Sequence, residues 1–298
     1  MVSVRARAMR FLIRSSFRPV RRLPLERRRA RIERLSGRAK LPRGTMVSPF
    51  QVPGLRGEWV RMPGSREDRL ILYLHGGAFC MGSPASHRNL VAHMCTHGEA
   101  LALSLDYRLA PEHPFPAAIE DALEAYRYLR RSGVAPARIA FAGDSAGANI
   151  ALAALITLRD AGEPLPAAAV CISPPTDLTG ASESLLSRAR LDPLLRIETV
   201  IPLCRAYVGG SRPEDPLVSP LHADLRGMPP LLIHVGSCEI LHDDAVRFAE
   251  KAKEAGVDVV LEVWDQLWHV WHAAVPHVPE ATEAIRRIGR FLRERIPD

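Results

Sequence analysis

The sequence predicts an α/β fold built on a mostly parallel central sheet. Three observations carry this. Short apolar runs alternate along the chain with segments of helical character. The apolar runs lack polar alternation, as strands covered on both faces do. The chain has 298 residues, 47% of them hydrophobic, enough for one large core with decoration.

Taken in order, residues 58–62 and 70–74 read as neighbouring strands, the second (Leu70, Ile71, Leu72, Tyr73, Leu74) apolar throughout. A loop follows, then a polar helix around 86–98 and a strand at 101–105. A Pro-rich loop at 110–117 leads into a helix at 117–132. The strand 139–142 enters Gly143-Asp144-Ser145-Ala146-Gly147, and an apolar helix-like run, 148–158, leaves it. Further strands are expected at 168–172, 231–235 and 259–264, with helices at 243–255 and 280–295. Residues 176–228 are irregular and rich in Pro, Ser and Asp, with two helices expected between 181 and 208. Leu25, Ile32 and Leu35 fall near helical spacing, so 25–36 reads as amphipathic.

Net charge is +7, and residues 1–44 hold the excess: fifteen Lys or Arg, from Arg5 to Arg43, face only Glu26 and Glu33. The remainder is mildly acidic. Such a run can meet nucleic acid or an anionic membrane. Aromatic residues for base stacking are confined to Phe11 and Phe17, which argues against nucleic acid. The preferred reading is the solvated face of a helix lying on the main domain. The patch Phe11-Leu12-Ile13 is broken by Arg10 and Arg14, unlike the apolar region of a secretory signal, and a mitochondrial-type presequence stays open. No apolar stretch approaches the roughly 20 residues that span a bilayer. The five cysteines (Cys80, Cys95, Cys171, Cys204, Cys238) are scattered and odd in number. They read as reduced thiols and predict a cytoplasmic protein.

Gly143–Gly147 is the informative motif. A serine on a sharp strand-to-helix turn has strained backbone and an exposed hydroxyl, and small residues must flank it where strand and helix converge. A serine hydroxyl needs a base to take its proton. In a doubly wound sheet the expected chain order is serine, acid, histidine. His269, just past the strand 259–264, is the chosen base, with His272 its rival. His93 and His97 have helical spacing that could hold a metal, but no third ligand is apparent. The acid belongs after strand 231–235. Asp243 and Asp244 stand where carboxylates cap a helix N-terminus, so Glu239 is the choice, with Asp177 a lesser alternative. His75-Gly76-Gly77-Ala78-Phe79 follows a buried strand. Backbone N–H groups of Gly76, Gly77 or Ala78, together with Ala146 at the helix start, suit an oxyanion. Asp144 is either a group supporting the site or cleft surface.

Together these residues resemble the hormone-sensitive-lipase-like esterase branch of the α/β-hydrolase superfamily. The matching motifs are His75-Gly76-Gly77-Ala78-Phe79, the stretch Asp106-Tyr107-Arg108-Leu109-Ala110-Pro111-Glu112-His113-Pro114-Phe115-Pro116-Ala117, Gly143–Gly147, Cys238-Glu239-Ile240-Leu241 and Trp268-His269, in family order from about residue 58 onward. Two departures stand out: Ala78 where many members have a third glycine, and Glu239 where many have aspartate. The resemblance implies the α/β-hydrolase fold, helices on both faces of the sheet and a helical cap. The expected organisation is a basic N-terminal cap segment, 1–45, and a catalytic unit, 46–298, with a cap insertion at 180–210. It implies hydrolysis of small, apolar, short- to medium-chain acyl esters through an acyl-serine on Ser145, with His269 as base and Glu239 as acid. Trp264, Trp268 and Trp271 near the base motivate the apolar substrate. No metal or organic cofactor, nucleic acid or integral membrane segment is implied, and a homodimer is possible. Three other readings remain: a non-catalytic small-ligand receptor on the same fold, a serine amidase or peptidase, and a binding protein that acts through its basic N-terminus. The Asp106–Ala117 stretch is expected to be structural, with Asp106 and Arg108 as a pair.

Overall fold

Side chains of a strand point alternately to opposite faces, and here both sets are apolar. On the third strand Leu70, Leu72 and Leu74 enter one core, while Ile71 and Tyr73 enter the other. The computed structural model describes residues 2–21, 23–36 and 40–296. Met1, Arg22, Gly37, Arg38, Ala39, Pro297 and Asp298 lie outside the described residues, among them two arginines of the basic run and the end of the 46–298 unit.

The sheet comprises β1 (Met46–Val52), β2 (Leu55–Arg61), β3 (Arg66–Leu74), β4 (Ala100–Leu105), β5 (Ile139–Asp144), β6 (Ala168–Ile172), β7 (Leu231–Gly236) and β8 (Val259–Trp264). Its spatial order is β1-β2-β4-β3-β5-β6-β7-β8. β2 runs antiparallel to β1 and β4, and every other pair is parallel. α4 (Ala117–Arg131), α5 (Ala146–Asp160) and α8 (His242–Glu254) cover one face, and α3 (Pro84–Gly98) and α9 (Pro279–Arg295) the other. The α/β-hydrolase architecture expected from the sequence is therefore the one observed. β1 was not foreseen; it is an edge strand, exposed along most of its length, with Pro49 in its middle.

Two helices precede the sheet, α1 (Val4–Arg21) and α2 (Leu25–Ser36). α1 is tied to α9 through Ser3, whose backbone N–H and hydroxyl both donate to Glu280, at 2.5 and 2.9 Å. α2 is held by Arg29, which donates to Glu112 at 2.7 and 2.8 Å and to the carbonyls of Cys80 (2.7 Å) and Ala110 (2.8 Å). Between β6 and β7 lie α6 (Ser184–Ser187) and α7 (Ile197–Val208).

The expected Asp106–Arg108 pair does not form. Arg108 turns to Asp121 and Glu120 on α4, whereas Asp106 faces Arg56 at 3.9 Å. Arg108 takes the carboxylates that the start of α4 offers it, its backbone N–H also donating to Asp121.

Parallel register places the ends of β3, β5, β6, β7 and β8 on one carboxyl edge, with Leu74 beside Gly143, Asp144 beside Ile172, Ile172 beside His234 and Gly236 beside Trp264. The close crossing of β5, α5 and β3 depends on glycine. A Cβ at Gly147 would lie 1.9 Å from the Leu74 carbonyl oxygen, and one at Gly143 2.5 Å from the Gly147 carbonyl carbon. Backbone cannot yield as a side chain can. Gly147→Ala is therefore expected to lower unfolding free energy by about 3 kcal/mol, read by urea denaturation. Wild-type stability in that variant would show that α5 has room to withdraw.

Candidate active site

Ser145 bridges β5 and α5 with φ 52° and ψ −123°, a strained conformation for a residue with a Cβ. Its N–H donates to the Ile172 carbonyl at 2.7 Å, which fixes the turn. His269, in the loop after β8, places Nε2 2.9 Å from Ser145 Oγ and Nδ1 2.9 Å from Glu239 Oε2. A proton on Nδ1 directed at the carboxylate leaves the Nε2 lone pair for the serine hydroxyl. Glu239 and His269 are both buried. Burial alone would depress the imidazole, but the hydrogen bond and charge of Glu239 outweigh it and hold His269 above the ordinary histidine range.

The other candidates are occupied elsewhere. His272 is fully buried, with Nε2 3.0 Å from His234 Nδ1, and burial beside His234 keeps it well below the ordinary range. Asp177 accepts from Thr179 and Arg247. Asp243 and Asp244 do not cap their own helix as expected. Asp244 accepts from the backbone of Thr176 and Asp177 and from the Ser182 hydroxyl, and Asp243 accepts from the Ser184 N–H. They tie the 176–184 loop to α8. Burial lifts the Asp244 carboxyl to about 7.

Asp144 is a buried hub. It accepts from Tyr73 Oη at 2.5 Å and from the Gly76 N–H at 3.0 Å, and His87 Nε2 lies 3.3 Å away. Burial disfavours its charge, but His87 and the Tyr73 hydroxyl prevail and hold it below the usual carboxylate range. One donor expected for the oxyanion is thereby corrected: the Gly76 N–H is committed to Asp144. Gly77, Ala78 and Ala146 make no backbone N–H hydrogen bond among the described residues. Ala78 and Phe79 have positive φ, 51° and 62°, which turns the loop toward the serine.

Sequence reasoning did not find Ser173. It follows β6 with φ 52°, and its hydroxyl donates to Glu239 Oε1 at 2.8 Å while accepting from the Val270 N–H at 3.2 Å. One hydroxyl thus binds the carboxylate and the residue after the histidine. Asp192 went unnoticed for the same reason, having no motif: buried, it accepts from the N–H groups of Leu194, Leu195 and Ile240.

Ser145 and His269 open into a cavity of about 820 Å³, within the roughly 300–1,000 Å³ of small-molecule sites. Its apolar wall includes Val20 and Ile32 of the N-terminal helices, Phe79, Leu185, Leu194 and Leu203. Trp264, Trp268 and Trp271, expected to supply that wall, do not line it. Trp271 stacks with His234 instead, at 6.3 Å between ring centres. Cys80 is a buried thiol pushed up to about 12 by burial.

A family profile described as alpha/beta hydrolase fold matches residues 71–273. An acetyl-hydrolase of Streptomyces hygroscopicus is 45% identical over 263 residues, 88% of this chain and 87% of that protein. The crystal structure of an esterase from the bacterial hormone-sensitive lipase (HSL) family superposes with a TM-score of 0.94 at 44% identity, covering 100% of both chains. EstE5, in a crystal soaked with p-nitrophenyl butyrate, superposes with a TM-score of 0.94 at 42% identity and 99% coverage of each chain.

Removal of the Ser173 hydroxyl leaves Glu239 Oε1 and the Val270 N–H each short of a partner. Ser173→Ala is expected to cost about 1–3 kcal/mol of stability and to lower activity on a soluble ester about tenfold, with Ser173→Thr restoring part of it. Unchanged turnover in Ser173→Ala would mean that the Gly236 N–H, which also donates to Glu239 Oε1, holds the carboxylate in place without Ser173.

Proposed function

The chain belongs to the α/β-hydrolase family, in its bacterial hormone-sensitive-lipase branch, and is a serine hydrolase of the carboxylesterase type; on this footing we propose that it cleaves short- to medium-chain acyl esters through a Ser145–His269–Glu239 triad. The observation that carries the reading is the unbroken hydrogen-bonded line from Ser145 Oγ through both ring nitrogens of His269 to a buried carboxylate. In this reading Ser145 Oγ attacks the ester carbonyl carbon while its proton passes to His269 Nε2. The carbonyl oxygen, now negative, is met by the N–H groups of Gly77, Ala78 and Ala146, the last at the positive end of α5. Collapse expels the alcohol with the proton from Nε2 and leaves an acyl-serine. Water then gives its proton to Nε2 and attacks the acyl carbon, and the acid departs as Ser145 regains its proton. Glu239 orients the ring and stabilises its charged form without taking the proton.

The acyl-length reading rests on the apolar lining of the cavity. The likeness to an acetyl-hydrolase, and to a structure whose crystal was soaked with a butyrate ester, points the same way. α1, α2 and the segment carrying α6 and α7 act as its cap, since Val20, Ile32, Leu185 and Leu203 all face the cavity. A receptor that has lost the base is disfavoured by the presence of His269 in line with Ser145.

Ser145→Ala is expected to lower turnover of nitrophenyl butyrate by on the order of 10⁶ and to abolish the single organophosphate adduct read by intact mass. Adduct formation elsewhere would remove Ser145 from its role. The base must be neutral to act, so lowering pH through the raised His269 value removes activity, and the acid limb of kcat/KM is expected above about 6.5. Glu239→Gln takes away the interaction that raises the imidazole and leaves the burial that lowers it. Its acid limb moves to lower pH, with a loss in kcat of up to about 10⁴. A limb that stays put in Glu239→Gln would assign the titration to another group.

A further inference from the structure

α1 carries two apolar faces, one packed into the core and one exposed. Residues three, four and seven apart share a helix face. On the inward face, Ala6, Met9 and Ile13 pack into the core shared with α9. On the opposite face, Val4, Ala8, Phe11 and Leu12 form an exposed stripe: Val4 is 71% exposed, Phe11 73% and Leu12 54%. Single exposed apolar residues are ordinary, but a stripe at helical spacing on a helix already anchored by its other face is not. Arg5 borders it on one side and Arg7 and Arg14 on the other.

We propose that this outer stripe docks the protein onto an anionic lipid bilayer, with α1 lying in the plane of the interface. Charge complementarity selects this occupant. The N-terminal 44 residues carry fifteen cationic side chains against two carboxylates, and one of those, Glu33, already accepts from the Ser83 hydroxyl. A second copy meeting the stripe about a two-fold axis would set arginines against arginines. A bilayer instead takes Phe11 and Leu12 into its acyl boundary while the arginine heads reach the phosphates. No helix among the described residues is long and apolar enough to cross a membrane, so contact is from one side.

The stripe is continuous with the cavity roof. Arg14 donates to the Arg190 carbonyl, which brings α1 against the segment made of α6 and the loop after it, where Leu186 (79%) and Leu191 (42%) are also exposed. The same segment sends Leu185, Leu194 and Leu195 inward to the cavity. One layer of the molecule therefore faces lipid outward and the cavity inward, a placement that suits apolar esters partitioned into a membrane.

The test reads binding on the Ser145→Ala protein, so it stands apart from the hydrolytic reading. Cosedimentation is expected with mixed phosphatidylcholine–phosphatidylglycerol vesicles at low salt, weakening as salt rises, and not with phosphatidylcholine alone. Phe11→Ser with Leu12→Ser is expected to weaken it about tenfold or more, and Arg5→Gln with Arg7→Gln about fivefold per charge. In the wild-type background both pairs keep full turnover of a soluble ester. Failure to bind mixed vesicles, equal binding to both vesicle types, or undiminished binding by the Phe11/Leu12 pair overturns the proposal. So does a dimer in sedimentation equilibrium that this pair converts to monomer, which would give the stripe to a second copy. Should that pair fail to fold, the arginine pair carries the test.

Discussion

Everything at the carboxyl edge depends on how closely α5 crosses β3. The Leu74 and His75 carbonyls lie so near Gly147 that no side chain fits between them. That approach forces Ser145 into positive φ, and the same forced turn lifts its hydroxyl out of the sheet and leaves the Ala146 N–H without an internal acceptor. Were the helix to stand further off, the strain would relax, and the serine would join either strand or helix with its hydroxyl turned toward backbone. Strain of this kind persists only where the surroundings over-determine it. The Ser145 N–H bond to Ile172 and the buried Ala-rich face of α5 do so here.

Three buried carboxylates near the edge show how environment divides one chemical group into different parts. Asp144 faces a phenol, a peptide N–H and an imidazole, so it stays charged and locks the glycine loop to the strand that bears the serine. Asp244 faces peptide N–H groups and a hydroxyl beside the Asp177 carboxylate, and burial moves it toward neutrality. Glu239 accepts from Ser173 and Gly236 on one oxygen, which leaves the other for His269. The extra methylene relative to aspartate is accommodated because the loop after β7 folds back on itself, with the Glu239 N–H donating to the Gly236 carbonyl at 3.1 Å.

What the sequence made legible follows from range. Strands buried on both faces and glycines flanking a serine are local signals, so seven of the eight strands among the described residues and the Ser145 turn could be read directly. Position after a named strand pointed to His269 and Glu239, which lie within hydrogen-bond distance of each other at this edge, since parallel strands deliver their loops to one edge. Ser173, His87 and the partners of Asp144 carry no local pattern. They are defined by contacts across tens of residues, such as Tyr73 with Asp144 or Ser173 with Glu239. Gly76 was misassigned for the same reason: a glycine loop shows that N–H groups are available, but not which of them a distant carboxylate has taken. The tryptophans near His269 were misread because closeness in sequence says nothing of the side of the sheet. α1 escaped because its apolar residues lie on two faces, which blurs the helical period.

The N-terminal helices link this edge to the rest of the molecule. Arg29 of α2 binds Glu112 and two carbonyls, those of Cys80 beside the glycine loop and Ala110 in the Pro-rich stretch. The stretch read as merely structural is therefore the platform on which α2 rests, and α2 in turn supplies Ile32 to the cavity wall. α1 packs on α9 at its start and supplies Val20 to the same wall at its end. A force applied to the outer face of α1 would reach the cavity through Val20 at the end of that helix. Shape of the substrate cavity and attachment of the basic segment are thus one mechanical problem, which the arginine-rich sequence solves with side chains long enough to bridge from helix to loop backbone while their stems cover apolar surface.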